Sequence, residues 1–165
     1  MKKILNTVVG LSVLVFCLLA SVSCNKMKII SGSTSFNIKS AGYYYDEDDD
    51  GYDFVFVDES DVDFNSIEDF PDNYLIVDLP KTSLGTHDIT EPLSSESWSF
   101  FLSMPGYFLN CYDFESGSIT MELDEEAGTV VFKIDGIVKE EGSRIRANYT
   151  GPVQKASHYL NPQIF

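Results

Sequence analysis

Apolar and polar residues alternate along most of the chain beyond residue 35. Ile119, Met121 and Leu123 alternate with Thr120 and Glu122; Val130, Phe132 and Ile134 alternate with Lys133 and Asp135; Ile145, Ala147 and Tyr149 alternate with Arg144, Arg146 and Asn148. Runs with one apolar and one polar face are what an antiparallel sheet with one wet side requires. Earlier runs fit the same period: 35–45, with Phe36 and Ile38 on one face, then 52–57, with Tyr52, Phe54 and Phe56 opposite Asp53 and Val55. A third strand, 74–79, stops at Pro80, which has no N–H to give a ladder. A short edge strand is expected at 85–90 and another strand at 98–104, with Trp98, Phe100, Leu102 and Met104 facing one way. The last part reads as a meander of four strands, 107–114, 118–123, 129–138 and 144–151. Pro105-Gly106, Glu115-Ser116-Gly117 and the stretches 46–51, 124–128 and 139–143 supply turns. No period of 3.6 persists, although Val62, Phe64, Ile67 and Phe70 in the acidic connection 58–73 are spaced for one short amphipathic helical turn. About eight or nine short strands predict an all-β, mostly antiparallel fold, either a β-sandwich or a small closed barrel, which share this alternation.

The first residues follow a different rule. Met1-Lys2-Lys3 is a positive start, 4–20 is mostly apolar, and the small residues Ala20, Ser21 and Ser23 precede Cys24. That order marks a secretory signal, and its apolar run is shorter than the roughly 20 residues a spanning helix needs. Ser21-Val22-Ser23-Cys24 resembles a relaxed lipobox of the kind found in Bacteroidota, with Ser21 where leucine is usual. The resemblance implies cleavage before Cys24 and acylation of its thiol, which would hold the chain on a membrane; several acyl chains anchor where one binds marginally. The expected organisation is a leader at 1–23, the lipidated cysteine and a flexible tether at 24–35, one β domain at 36–156 and a tail at 157–165. Cys17 leaves with the leader. Lys26 and Lys28 lie where they can meet anionic head groups. Surface-exported lipoproteins of Bacteroidota carry acids just after the cysteine; Asn25-Lys26-Met27-Lys28 has none, which favours the periplasmic face of the outer membrane.

Charge narrows the partners. The chain has 165 residues, 11 Lys+Arg against 26 Asp+Glu and a net charge of −15. Loss of Lys2 and Lys3 with the leader makes the balance more acidic still. Nucleic acid, whose phosphates need a basic footprint, is excluded. Cys111 is then the one unmodified cysteine, so no internal disulfide is available, and a buried structural role is expected.

Three groups of residues carry candidate chemistry. Asp46, Asp48, Asp50 and Gly51 match the opening of a calcium loop, with alternating carboxylates before a tight bend; Val57 stands where a complete loop has its bidentate glutamate. Apart from calcium, no cofactor is expected. Tyr43, Tyr44, Tyr45 and Tyr52 cluster at the same hairpin, with Trp98, Tyr107 and Tyr112 elsewhere; exposed, they could stack on a glycan or peptide, and packed, they would fill a β core. His87 and His158 have neither metal-ligand spacing nor a nucleophile partner. Carboxylates are abundant enough for a glycosidase pair, but no two stand out.

The succession of the tyrosine-rich hairpin, Tyr74-Leu75-Ile76-Val77-Asp78-Leu79-Pro80, Gly85-Thr86-His87-Asp88-Ile89-Thr90, Ser116-Gly117-Ser118-Ile119-Thr120, Val131-Phe132-Lys133-Ile134-Asp135-Gly136 and Ala147-Asn148-Tyr149-Thr150-Gly151-Pro152-Val153 resembles the uncharacterised β-rich lipoprotein domains of Bacteroidota. The resemblance covers most of the chain after Cys24. It implies a β-sandwich or a calycin-like barrel, the latter with room for an interior ligand, and it implies no catalytic residues. The expected function is a non-enzymatic binding or accessory module of the cell envelope. It would meet the membrane through lipid on Cys24, and a glycan, peptide or small apolar ligand through the β domain. The alternatives are a calycin-like carrier of a small apolar ligand and a hydrolase of envelope glycans.

Overall fold

The structure, a computed structural model, describes residues 26–29, 34–66, 71–90, 99–111, 113–139 and 141–158. Among them are twelve strands: β1 (Lys26–Ile29), β2 (Ser35–Asn37), β3 (Ser40–Asp46), β4 (Gly51–Val57), β5 (Tyr74–Pro80), β6 (Gly85–Asp88), β7 (Ser99–Met104), β8 (Tyr107–Cys111), β9 (Phe114–Asp124), β10 (Thr129–Val138), β11 (Arg144–Pro152) and β12 (Gln154–Lys155). The one helical element among the described residues is a 3-10 turn at Lys81–Ser83. The strands form two six-stranded sheets, ordered β2-β1-β11-β10-β9-β6 and β12-β3-β4-β5-β7-β8. Every pairing is antiparallel except β12 with β3. The sheets stack without closing into one ladder, so the fold is a β-sandwich and not a barrel.

The inward faces are those the alternation assigned. Phe54, Phe56, Leu75, Phe100 and Leu102 of the second sheet meet Met121, Phe132, Ile134, Ile145 and Tyr149 of the first, each at most 2% exposed. Phe56 joins the two layers, stacking on Phe132 at 4.6 Å between centroids and meeting Tyr149 edge-on at 5.7 Å. Offset and edge-on aromatic pairs contribute about 0.5–1.5 kcal/mol each beyond the area they bury. On the outer face of the first sheet, Arg144 and Arg146 converge on Asp135 at 2.7 Å each.

The structure departs from the sequence reading in several places, each with a physical reason. The run 35–45 is two strands in different sheets: β2 pairs with β1, the chain crosses at Ile38-Lys39, and β3 pairs with β4. Glu115-Ser116-Gly117 is no turn but part of β9, and the ladder with β10 shifts register only at Ile137/Val138. Gly117 is read easily as a turn residue, yet it is needed inside the strand: its φ is +138°, and a Cβ there would lie 2.3 Å from the Asp135 carbonyl. The expected four-strand meander therefore divides, with β8 at the edge of the second sheet and β9, β10 and β11 together in the first. Within the stretch expected to be a tether, β1 pairs with both β11 and β2, so Lys26 to Ile29 belong to the domain. The residues 157–158 follow β12, which adds an edge strand before the expected tail.

The second sheet also has two buried faces. Val55, Val57, Ile76 and Phe101 on its outer side join Phe64 and Ala156 in a second apolar cluster. Phe64 comes from the connection after β4, which takes up no helix over its described residues; its ring lies against Gly42, where a Cβ would sit 2.5 Å from Cγ. The leader 1–23, Cys24, Trp98, Tyr112, Ile67, Phe70 and the tail beyond residue 158 lie outside the described residues.

Candidate functional site

The acidic turn joins β3 to β4 as expected, and Asp50 takes the left-handed backbone conformation, with φ 48°. Two of its carboxylates accept local hydrogen bonds. Asp46 Oδ1 accepts the Asp48 N–H at 2.9 Å, and Asp50 Oδ1 accepts the Tyr45 hydroxyl. Among the described residues no three His, Cys, Asp or Glu side chains converge on one point. Asx-type turns are the commoner use of aspartates at such positions.

The tyrosines of this hairpin divide between the faces of the sheet. Tyr43 and Tyr52 are buried toward the core, and both hydroxyls donate to Glu125 from the β9–β10 turn, at 3.4 and 2.9 Å. Glu125 thereby ties the two sheets together at this end, with Lys155 Nζ 3.7 Å away. Burial, reinforced by Glu125, raises the pKa of both phenols. Tyr45 packs on Tyr52 at 5.0 Å and carries Lys81 above its ring. These rings therefore pack and staple, and the role of Glu125 has no local sequence signal. Tyr107 is held on Glu141 by a 3.0 Å hydrogen bond. His87 lies on edge strand β6, its Nε2 3.3 Å from the Leu84 carbonyl, and His158 is exposed beyond β12. Cys111 ends β8, its backbone opposite Phe100.

Two features were not anticipated. The first is a groove of about 510 Å³ where the chain crosses between the sheets at 39–41, bounded also by 60–64 and 149–154. Phe64, Val62 and Val153 give it an apolar floor, and Lys39, Asp61 and Gln154 give it polar walls. Gln154 is held in place, donating to Asp63 Oδ1 at 3.0 Å and accepting the Phe64 N–H at 3.3 Å. Phe108, at 56% exposure, is the one large apolar side chain so exposed among the described residues; it lies on edge strand β8 with its ring against Phe101.

The second feature is a pair of carboxyls on the outer face of the second sheet. Asp53 on β4 and Asp78 on β5 are direct cross-strand partners, flanked in the same row by Tyr44 on β3 and Ser99 on β7. Asp53 is only 5% exposed, beside the second apolar cluster, and its Oδ2 has no hydrogen-bond partner among the described residues. The Ser99 hydroxyl donates to Asp78 Oδ2 at 3.4 Å. Burial, then the adjoining Asp78 carboxyl, push the Asp53 pKa up to about 8; Asp78 is raised too, chiefly by burial. Asp46 and Asp49 add to the negative field. Carboxyls in hydrogen-bond contact are too close for the ~5–10 Å separation of a glycosidase pair.

The fold and its sites thus define an all-β, two-sheet sandwich with a filled interior, a surface groove and a cross-strand acid pair of which Asp53 is buried. Comparison of the chain with protein-family models, with curated proteins and with solved structures finds no match.

Proposed function

We propose that this chain is a lipid-anchored accessory module of the cell envelope that engages an extended polar ligand, a glycan or peptide segment, along the groove at 39–41, 60–64 and 149–154. The observation that carries this reading is the division between a filled interior and an open groove. Phe54, Phe56, Phe100 and Phe132 occupy the space an apolar cargo would need, while the groove offers apolar floor and polar walls at the surface. Such a mixture suits a ligand held by stacking and a few oriented hydrogen bonds. The relaxed lipobox supports attachment through Cys24, and the absence of acids in 25–28 supports the periplasmic face of the outer membrane. With β1 starting at Lys26, an acyl group on Cys24 would hold the sandwich against the bilayer with almost no spacer. No catalytic role is assigned to any residue.

Two experiments test the two halves. Radiolabelled palmitate fed to the native host enters the wild-type chain and not Cys24→Ser; equal absence of label from both refutes the anchor. Ser60→Trp fills the groove from an exposed position. Retention of the wild-type chain, but not of this variant, on immobilised envelope glycan or peptide fragments is expected. Equal retention of both would place the ligand elsewhere.

A further inference from the structure

We propose that the outer face of the first sheet, along β1, β11 and β10, docks on anionic phospholipid head groups. The inference rests on the reading of Cys24 as a lipid anchor and deepens it by naming the face that meets the bilayer. Its ground is the placement of the cations. Beyond the leader the chain has nine Lys and Arg, the 11 of the whole sequence less Lys2 and Lys3. Five of them occupy neighbouring rows of one ladder. Lys28 stands opposite Arg146 and Arg146 opposite Asp135; Lys26 stands opposite Asn148 and Asn148 opposite Lys133; Arg144 is one row further on, opposite Ile137. The side chains of Lys26, Lys133, Arg144 and Arg146 are exposed. Asp135 is the one acid in the sequences of these three strands. Both guanidiniums share its carboxylate at 2.7 Å, which leaves that group positive. The acids of the same face stand on the other side of the sheet, Glu122 and Asp124 on β9 and Asp88 on β6. The face is therefore basic towards β1 and acidic towards β6.

The position of the anchor turns this asymmetry into an orientation. Only Asn25 separates Cys24 from Lys26, and two residues of chain reach about 7 Å at most. An acylated thiol at residue 24 thus brings the β1 side of the face within one Debye length of the head groups, about 8 Å at physiological salt. Lysine and arginine within that range are drawn to an anionic surface. The second sheet, with its acidic turn at 46–50, lies a sheet spacing of ~10 Å further out, where salt screens most of its repulsion. The acidic turns gain nothing by approaching, so the negative balance of the chain reinforces the same orientation.

The test uses the protein extracted from its native host and reconstituted with vesicles of phosphatidylcholine, alone or mixed with phosphatidylglycerol. Acetylation of each lysine by a water-soluble reagent is followed by mass spectrometry. Lys133, far from Cys24 in sequence, is the reporter. It is expected to react about fivefold more slowly on the anionic vesicles than on the uncharged ones. The difference should vanish in 1 M salt, where the Debye length is about 3 Å. Lys81 and Lys155, which lie over tyrosines of the second sheet, should react alike on both. Arg144→Gln combined with Arg146→Gln changes two exposed side chains and should return Lys133 to its rate on uncharged vesicles. Equal reactivity of Lys133 on the two vesicles overturns the proposal, and so does slowing that persists in the double variant. Slowing by dissolved inorganic phosphate without vesicles would assign the face to a soluble anion and overturn it as well. Flotation with the uncharged vesicles reports the anchor separately: a chain that floats there while Lys133 stays equally reactive keeps its lipid and loses this face, and a chain that does not float there has no anchor whatever Lys133 does.

Discussion

Glu125 shows how one side chain closes a whole end of the sandwich. It accepts both Tyr43 and Tyr52, which lie on the opposite sheet and are themselves buried. Glu125→Ala leaves two phenols without their acceptor and is expected to cost about 1–2 kcal/mol in urea denaturation. Asp53 works in the other direction, as a group whose folded environment resists ionisation. Burial and the adjoining Asp78 carboxyl push its pKa up to about 8 in the folded chain, against 3.8 for an ordinary aspartate. Between those values the folded state holds a proton that the unfolded state has lost. Stability therefore falls as pH rises through this window, and the loss is complete above it. Tyr44, Asp78 and Ser99 in the same row, with Asp46 and Asp49 beyond, are the groups that face it. In chelator-containing buffer, Tm should decline from pH 5 to pH 9 in the wild-type chain and much less in Asp53→Asn, which mimics the protonated form. An equal decline in both would locate the pH dependence elsewhere. Neither role is legible locally. Glu125 is one acid among many in a turn, and Asp53 meets Asp78 only through the register of two strands.

At the scale of elements, legibility followed the strength of the alternation. β10 and β11 begin where the pattern placed them, because Val130, Phe132 and Ile134 and then Ile145, Ala147 and Tyr149 each mark an unbroken inner face. The pattern starts β9 only at Ser118, since a glycine between Ser116 and Ser118 carries the composition of a turn. Its strand role makes a sharp prediction. Gly117→Ala must leave a φ of +138° or drive a methyl into the Asp135 carbonyl, and should cost about 2–4 kcal/mol. Urea midpoints of the variant and wild type measure this; a near-neutral result would mean that the β9–β10 register at this point is wrong. The second buried face of β4 has a signal in the sequence. Tyr52-Asp53-Phe54-Val55-Phe56-Val57 is nearly continuous in apolar residues, the pattern of a strand covered on both sides. Its cover, Phe64, comes from a loop and could not be assigned from periodicity. Phe64→Ala should cost about 3 kcal/mol, as a buried aromatic truncation does, and should flatten the groove floor together with ligand retention. A variant as stable as wild type would show that the loop does not pack there.

The whole molecule is a two-sheet sandwich whose described strands change layer between β2 and β3, β5 and β6, β6 and β7, β8 and β9, and β11 and β12. Those crossings explain why sandwich and barrel could not be separated by pattern. Alternation gives each strand an inner face and says nothing about which sheet holds it. The acidic residues are spread over turns such as 46–50 and 124–126, while five of the basic residues, Lys26, Lys28, Lys133, Arg144 and Arg146, lie on strands of the first sheet. That is also the sheet in which β1 follows Cys24 after one intervening residue, so an acyl group there would fix which part of the domain lies nearest the bilayer. The central claim is that lipid on Cys24 keeps this sandwich at a membrane. The most direct measurement is the intact mass of the protein extracted from its native host's membranes, with fragmentation of its N-terminus. The account predicts a chain that begins at residue 24 and carries acyl mass on that cysteine. A chain that keeps residues 1–23, or one released to the soluble fraction with a free thiol at residue 24, would contradict it.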